Sequence, residues 1–181
     1  VGLISDLHYK EDGRDGQNRI NTRKALNYYK SQNADVIIFN ADVSDLGGMT
    51  SYANLVADIT SVYPDENNRP TMLFTGDNHE WYDVWTANNH TPVEGETWYT
   101  LQDRFCNALA EVRYGEITDA NSCAVVNGYY FIGISSDGMD GAHSAYDADT
   151  VTFLTEQLAA AQTDDSTKPI FVAIHQAPPN T

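Results

Sequence analysis

Four apolar stretches of the chain each end directly in side chains that bind metals or transfer protons. The stretches are β-strand candidates because they are short, rich in branched aliphatic residues and bounded by polar ones. In open α/β sheets, sites form outside the carboxyl ends of the strands. We therefore expect the four ends to share one edge and to gather their side chains in one place. The polar ends are residues 5–8, 40–45, 76–80 and 175–179.

Strand-like and helix-like segments alternate along the chain. The Asn127-Gly128 pair separates two strand candidates and is a strong signal for a two-residue hairpin turn. This order predicts an α/β domain with a mixed sheet, which has crossover connections first and a hairpin later. The predicted strands cover residues 1–5, 36–39, 71–75, 123–126, 129–134 and 170–174, and the predicted helices cover residues 22–32, 51–62, 101–112 and 149–161.

The length of 181 residues allows one domain with a substantial core and is short for two. We therefore expect residues 1–181 to form a single domain. Asn21 or Thr22 is placed to cap the first predicted helix. Residues 81–97 show little periodicity, and a loop of that length inside a compact domain usually covers a functional site.

The composition is strongly acidic, with 26 acidic and 10 basic residues and a formal net charge of −16. Affinity for a nucleic-acid backbone needs clusters of Lys and Arg, so we expect no nucleic-acid partner. Docking on anionic lipid is disfavoured for the same reason. No apolar run approaches the roughly 20 residues that span a bilayer. The acidity most simply indicates solubility in a salty or extracellular setting.

The two cysteines, Cys106 and Cys123, are too far apart in sequence for a C-x-x-C motif. They are either a disulfide of an exported protein or two buried thiols. We expect an extracellular location from the acidity, the few lysines and this potential bridge, with the cytoplasm as the alternative.

The residue types at the four strand ends suit a centre that holds two metal ions. Imidazole and carboxylate ligands together favour Zn, Fe or Mn, whereas Mg and Ca prefer an all-oxygen shell. In the turn from Asp6 to His8, two ligands from one short segment can reach a single ion. One carboxylate can bridge ions about 3.5–4 Å apart. The carbonyl oxygen of Asn78 is a neutral ligand that adds no negative charge.

These motifs resemble the calcineurin-like metallophosphoesterase superfamily. Its pattern is D-x-H, then G-D-x-x-D, then G-N-H-D/E, then a lone His usually followed by Pro, then G-H-x-H. The first four blocks have counterparts here in the same order, and each follows a predicted strand. The counterparts are Asp6 and His8, Asp42 and Asp45, Asn78 with His79 and Glu80, and His175.

The resemblance implies a mixed β-sheet sandwich flanked by helices, with an α/β/β/α layer order. It also implies a dinuclear centre of Mn, Fe or Zn that hydrolyses a phosphomonoester or phosphodiester of a small soluble substrate. By this resemblance Asp6 and His8 hold the first metal, Asp42 bridges both, and Asn78 and His175 hold the second.

The resemblance gives His79 a different role, beside the metals and not bound to them. His79 would act as general acid on the leaving oxygen and would be oriented by Asp45. The pairing is chemically reasonable because a carboxylate partner raises the pKa of a histidine and keeps it protonated near neutral pH.

Three departures from the family pattern bear on the site. The glycine before the bridging Asp is Ala41, a small residue compatible with a tight turn. The glycine before Asn-His-Glu is Asp77, with Gly76 one place earlier, and a positive φ there would strain an aspartate. No G-H-x-H occurs before Thr181, so each metal lacks one ligand that the family supplies. We expect weak occupancy of the second site, poor activity from residues 1–181, and a natural chain that extends beyond both ends.

Several of these residues also have simpler interpretations. Asp45 is alternatively a helix cap or a turn residue. Glu80 is expected to be structural and not catalytic. The aromatic side chains after His79 either pack the following loop onto the domain or form a wall on which a substrate ring stacks. These side chains are Trp81, Tyr82 and Trp85.

Polar segments elsewhere are expected to be solvated. They contain His90, His143 and the acidic stretch 137–147. His90 lies in the long loop predicted to cover the site, and contact with substrate is the alternative for it. Two other functions remain open beside the enzyme. The first is a metal-binding module of a larger secreted protein with little or no activity, and the second is a nuclease of the same superfamily, which the net charge disfavours.

Overall fold

The computed structural model describes residues 1–12, 16–82, 94–115, 119–140 and 143–176. Strands and helices alternate in the first half, and short strands dominate the second. The strands are β1 (Gly2–Ile4), β2 (Val36–Asn40), β3 (Thr71–Thr75), β4 (Ser122–Val126), β5 (Tyr129–Ile134), β6 (Gly138–Asp140), β7 (His143–Ala145) and β8 (Phe171–Ile174). The helices are α1 (Gln17–Ser31), α2 (Met49–Val62), α3 (Trp98–Leu109) and α4 (Ala148–Asp165).

The first sheet is parallel and has the order β1-β2-β3. The first four residues of its central strand β2 are apolar because both faces of the strand are buried there. Ile37 and Phe39 face the larger core cluster, which the three helices α1, α2 and α3 cover. Val36 and Ile38 face a smaller cluster between the two sheets.

The second sheet has the order β4-β5-β8, with β4 antiparallel and β8 parallel to β5. Asn127 and Gly128 both have positive φ, 53° and 76°, as a two-residue type I′ hairpin turn requires. Phe131 of β5 packs toward the first sheet. Ile132, the next residue, is fully buried on the other side, where α4 contacts β5. The layers are therefore helices, sheet, sheet and helix, which confirms the predicted sandwich.

Besides shifts of three residues at both ends of α3 and of four residues at the C-terminal end of α4, two segments differ from the sequence prediction. Helix α1 begins at Gln17 after Gly16, so the predicted caps Asn21 and Thr22 lie inside it. The Thr22 hydroxyl instead donates to the backbone carbonyl of Asn18 within the helix. The stretch 137–147 is not a solvated loop throughout, because it contains the β6–β7 hairpin.

The cysteines are free thiols in the described chain, Cys106 buried and Cys123 half-buried. Of the two alternatives, the structure has the pair of thiols and not the bridge. Burial raises the pKa of Cys106 to about 11, so this thiol stays protonated at neutral pH. None of the helices in the described residues combines the length and apolarity needed to cross a membrane.

The buried carboxylate of Asp58 joins α1 to α2 near the segment that follows β1. Asp58 of α2 accepts two hydrogen bonds from Arg19, at 2.9 and 2.8 Å, and one from Arg23 at 2.9 Å. The Tyr9 hydroxyl donates to the same carboxylate at 2.7 Å. Because Tyr9 directly follows His8, this carboxylate also fixes the segment that carries the first predicted ligands.

Replacing Asp58 with alanine is expected to lower the free energy of unfolding by about 3 kcal/mol, because it leaves two guanidinium groups and a buried hydroxyl without their shared acceptor. Burial alone would raise the pKa of Asp58, but the hydrogen bonds from Arg19, Tyr9 and Arg23 outweigh it and hold the pKa below its ordinary value of 3.8. The stabilisation is therefore present above pH 3.8 and is lost as the pH falls further.

Urea denaturation of the wild type and the variant at several pH values measures this difference. Asp103→Ala in α3 is the control, since Asp103 is an exposed aspartate in the interior of a helix. A difference between wild type and Asp58→Ala that stays constant from pH 7 to pH 3 would contradict the assigned origin of the stabilisation.

Candidate metal centre

The carboxyl ends of β1, β2, β3 and β8 meet although they belong to two sheets. The Asn40 side chain donates to the Ile174 carbonyl at 3.2 Å, so the end of β2 is joined to the end of β8. In the reverse direction, His175 Nδ1 donates to the Asn40 carbonyl at 2.9 Å. The predicted clustering of the strand ends therefore includes the fourth, which a single-sheet picture would have separated from the others.

The turns after β1 and β2 adopt left-handed backbone conformations. Asp6 and His8 have φ of 55° and 48°, and Ala41 and Asp42 have φ of 58° and 52°. Such conformations cost non-glycine residues about 1 kcal/mol each, so surrounding contacts must hold them. His8 N donates to the Asp42 carbonyl at 2.9 Å, and Asp6 N donates to the Ala41 carbonyl at 3.3 Å. Ala41 thus makes the tight turn for which the family pattern uses glycine.

Glu80 holds the turn after β2 and the loop after β3 in place through hydrogen bonds to their backbone. Its buried carboxylate accepts backbone N–H bonds from Asp42 at 3.1 Å, Ser44 at 3.1 Å and Asp77 at 3.0 Å. Burial and the neighbouring Asp42 carboxylate raise the pKa of Glu80. The side chain points away from solvent and braces two ligand-bearing loops, which agrees with the structural role expected for it.

Asp42 lies at the centre of the cluster. Its Oδ2 atom is 3.3 Å from His175 Nε2 and 3.9 Å from the Nε2 atoms of both His8 and His79. Its Oδ1 atom is buried and has no hydrogen-bond partner in the described part of the chain. A buried carboxylate oxygen without a partner is costly, and a cation among these imidazoles would satisfy it.

The donor sets fit metal ions. Asp6, His8 and Asp42 offer ligand atoms within 4.8 Å of one another. His8, Asp45 and His79 form a second such group. On the other side, Asn78 Oδ1 accepts a hydrogen bond from Gln176 at 3.2 Å, which brings Asn78 beside the segment that carries His175. The structure therefore brings Asp6, His8, Asp42 and His175 together. The fifth predicted ligand, Asn78, contacts the residue that follows His175.

Two of the histidines have a defined ring orientation. His175 donates from Nδ1 to the Asn40 carbonyl, and His79 donates from Nδ1 to the Asp45 carbonyl at 2.8 Å. A carbonyl can only accept, so in both rings Nδ1 carries a proton and Nε2 faces Asp42. A backbone acceptor of this kind is what commonly orients metal-binding histidines. In the absence of a cation, the hydrogen bond with Asp42 raises the pKa of His175 to about 9.

The prediction for Asp45 needs a correction. The expected carboxylate partner of His79 is instead the Asp45 backbone carbonyl. The Asp45 Oδ1 atom lies 3.4 Å from His8 Nδ1. The cause is the backbone, because Asp45 N donates to the Tyr9 carbonyl at 2.9 Å and this bond holds the residue beside the His8 segment.

Asp77, the second departure from the family pattern, does not adopt a positive φ, so the strain considered for it does not arise. Its buried Oδ1 accepts from Asn78 N at 2.8 Å and from Ser136 Oγ at 3.2 Å, and Ser144 Oγ of β7 also donates to it. The glycine that the turn needs is Gly76, where a Cβ would lie 2.6 Å from the Trp81 ring.

Replacing Asp77 with glycine, the residue of the family pattern, is expected to lower the free energy of unfolding by about 2 kcal/mol, since three donors lose their acceptor. Asp77→Asn keeps that acceptor oxygen and removes a buried charge, so it is expected to stay within about 1 kcal/mol of the wild type. Urea denaturation measures both. A glycine variant as stable as the wild type would show that the carboxylate does not anchor the loop.

The aromatic residues after His79 were predicted either to pack the following loop onto the domain or to form a wall for a substrate ring. Trp81 is fully buried, and its Nε1 donates to Ser136 Oγ at 2.8 Å, so it packs and does not form a substrate wall. Tyr82 lies against the His79 ring. Trp85 and His90 lie outside the described residues, as do the side-chain surroundings of His143.

Asn40 holds the candidate site together, although its residue type and position do not predict this. Its carbonyl orients His175, and its amide joins the two sheets. The available signal was its position at the end of β2, two residues before Asp42, but nothing in the sequence shows that a backbone carbonyl there reaches across 135 residues to a histidine.

The sequence of the chain matches a known protein family. Residues 1–180 match the model of the calcineurin-like phosphoesterases, which is the whole chain except its last residue. Among curated proteins no match is found. The match covers every strand end described above, and the fold has the sheets and flanking helices of that family. The chain therefore belongs to the calcineurin-like phosphoesterase family, whose members hydrolyse phosphoesters with the help of bound metal ions.

Proposed function

We propose that this chain hydrolyses a phosphomonoester or phosphodiester of a small soluble substrate at a dinuclear metal centre. The observation that carries the proposal is the surrounding of Asp42. Three imidazole Nε2 atoms face one of its oxygens, and the other is buried without a partner in the described chain. Nitrogen ligands that face one oxygen, and a second oxygen that lacks a partner, support two cations that share the Asp42 carboxylate.

Each side chain has a role in the proposed centre. Asp6 and His8 would hold the first ion, Asn78 and His175 would hold the second, and Asp42 would be shared between them. Imidazole and carboxylate donors favour Mn, Fe or Zn. When bound, the ions supply an activated water and positive charge for the phosphoryl oxygens. They also make the centre locally positive in a protein whose net charge is −16, so an anionic substrate can approach.

His79 is the proposed general acid. Its Nδ1 proton is held by the Asp45 carbonyl, so a second proton on Nε2 is the one that faces the centre. As the bond between phosphorus and the leaving oxygen breaks, that oxygen takes the Nε2 proton and leaves as a neutral alcohol. His79 Nε2 lies 3.9 Å from Asp42 Oδ2, too far for a direct hydrogen bond to the carboxylate that the two ions would share.

A substrate panel tests the proposal against its two rivals. The full-length protein is freed of metal, is reloaded separately with Mn, Fe and Zn, and is given an aryl phosphate, a bis-aryl phosphate and single-stranded DNA. We expect turnover of one or both small esters and none of DNA. Tightly held metal without any turnover would instead indicate a binding module, and turnover of DNA alone would indicate a nuclease.

A further inference from the structure

The ring of His79 packs against two other rings. The His8 and His79 centroids are 4.4 Å apart at an interplanar angle of 83°, and those of His79 and Tyr82 are 4.4 Å apart at 82°. Both contacts are edge-to-face, the geometry that aromatic pairs prefer. Tyr82 follows His79 by three residues in a tight turn, where Glu80 N and Trp81 N donate to the Asp77 and Asn78 carbonyls. This spacing brings the two side chains to the same side of the turn.

The Tyr82 hydroxyl lies near His79 Nε2, the nitrogen from which the proposed proton transfer occurs. It lies 3.4 Å from His79 Nε2, while Nδ1 is occupied by the Asp45 carbonyl. When Nε2 carries no proton, the hydroxyl can donate to it, and when Nε2 is protonated, the hydroxyl oxygen can accept. Hydrogen bonds at catalytic groups are often long before substrate is bound.

We propose that Tyr82 is a positioning residue for the proton transfer from His79, an inference that rests on the proposed function. Its ring, together with that of His8, fixes the plane of the imidazole, and its hydroxyl keeps Nε2 in place while the proton passes to the leaving oxygen. After the leaving oxygen has taken the Nε2 proton, the lone pair of the neutral ring accepts the hydrogen bond of the Tyr82 hydroxyl. No proton other than that of His79 is transferred to product.

This role makes the importance of Tyr82 depend on the leaving group. A nitrophenolate leaves readily without a proton, whereas an alkoxide has to be protonated as it leaves. Loss of the hydroxyl should therefore slow alkyl phosphates more than nitrophenyl phosphate. A residue that only supports the local fold would slow both substrates by the same factor.

The test compares Tyr82→Phe with Tyr63→Phe. Tyr82 and Tyr63 are both 5% exposed, and the Tyr63 hydroxyl donates to the Leu26 carbonyl at 3.2 Å, away from the centre. We expect Tyr82→Phe to lower kcat roughly tenfold on an alkyl phosphate and less than about threefold on nitrophenyl phosphate. Tyr63→Phe should leave the ratio of the two rates unchanged. Equal losses on both substrates, or no loss, in Tyr82→Phe would overturn the inference.

His79→Ala separates failure of this inference from failure of the proposed function. If His79→Ala shows a loss of turnover that depends on the leaving group and Tyr82→Phe does not, the inference about Tyr82 is wrong. The assignment of His79 as the general acid then still stands. If His79→Ala shows none, the assignment of the acid itself is wrong. The ¹⁵N chemical shift of His79 Nε2 gives a measurement without turnover. It should move in Tyr82→Phe and stay in Tyr63→Phe, and an unchanged shift in Tyr82→Phe would also overturn the inference.

Discussion

Asp42→Ala is expected to remove metal from both positions of the centre and to lower turnover by at least about 10³-fold. The reason is that the Asp42 carboxylate is the group that both sets of ligands surround. The charge stabilisation that a metal provides is worth several kcal/mol, and each 1.4 kcal/mol corresponds to about a factor of ten. Elemental analysis of the purified variant measures the metal, and hydrolysis of an aryl phosphate measures the activity.

Two further variants control for this experiment. Asp42→Asn keeps a side chain that tolerates the left-handed φ of 52°, so it tests the charge without altering the turn, and it should also lose metal. Asp103→Ala removes an exposed carboxylate away from the centre, and this variant should keep the wild-type metal content. Retention of both ions in Asp42→Ala would mean that the shared carboxylate has been assigned to the wrong residue.

His79→Ala is expected to lower turnover by a factor of about 10²–10⁴ while the metal content stays at the wild-type level, since this factor is the usual contribution of a general acid. His79 lies as close to Asp42 Oδ2 as His8 does, at 3.9 Å, so distance alone does not separate acid from ligand. Metal content does. His175→Ala is the matched comparison and should lose one ion. Loss of an ion in His79→Ala would instead make His79 a ligand.

The sequence predicted best what depends on local pattern. Strand β3 has the predicted bounds because Pro70 precedes it and Gly76 ends it. The hairpin at Asn127-Gly128 follows from a turn type that only a few residues can adopt. The order of ligand-type residues after strands also predicted that the strand ends meet, but it did not indicate that β8 belongs to a second sheet.

What the sequence missed depends on contacts between distant residues. The start of α1 depends on long-range bonds such as that from Arg19 to Asp58, so capping rules placed it five residues too late. Asp45 was assigned by residue type, but its backbone carbonyl is the group that meets His79. No local pattern indicates that Glu80 reaches the backbone of Asp42 and Ser44. In each case, tertiary hydrogen bonds decide the outcome.

The central claim is that Asp6, His8, Asp42, Asn78 and His175 hold two cations between them. Anomalous diffraction from crystals of the full-length protein grown with Mn²⁺ tests it most directly. We expect two peaks about 3.5–4 Å apart, one beside Asp6 and His8 and one beside Asn78 and His175, with Asp42 in contact with both. Peaks away from these side chains, or none within reach of Asp42, would contradict the claim.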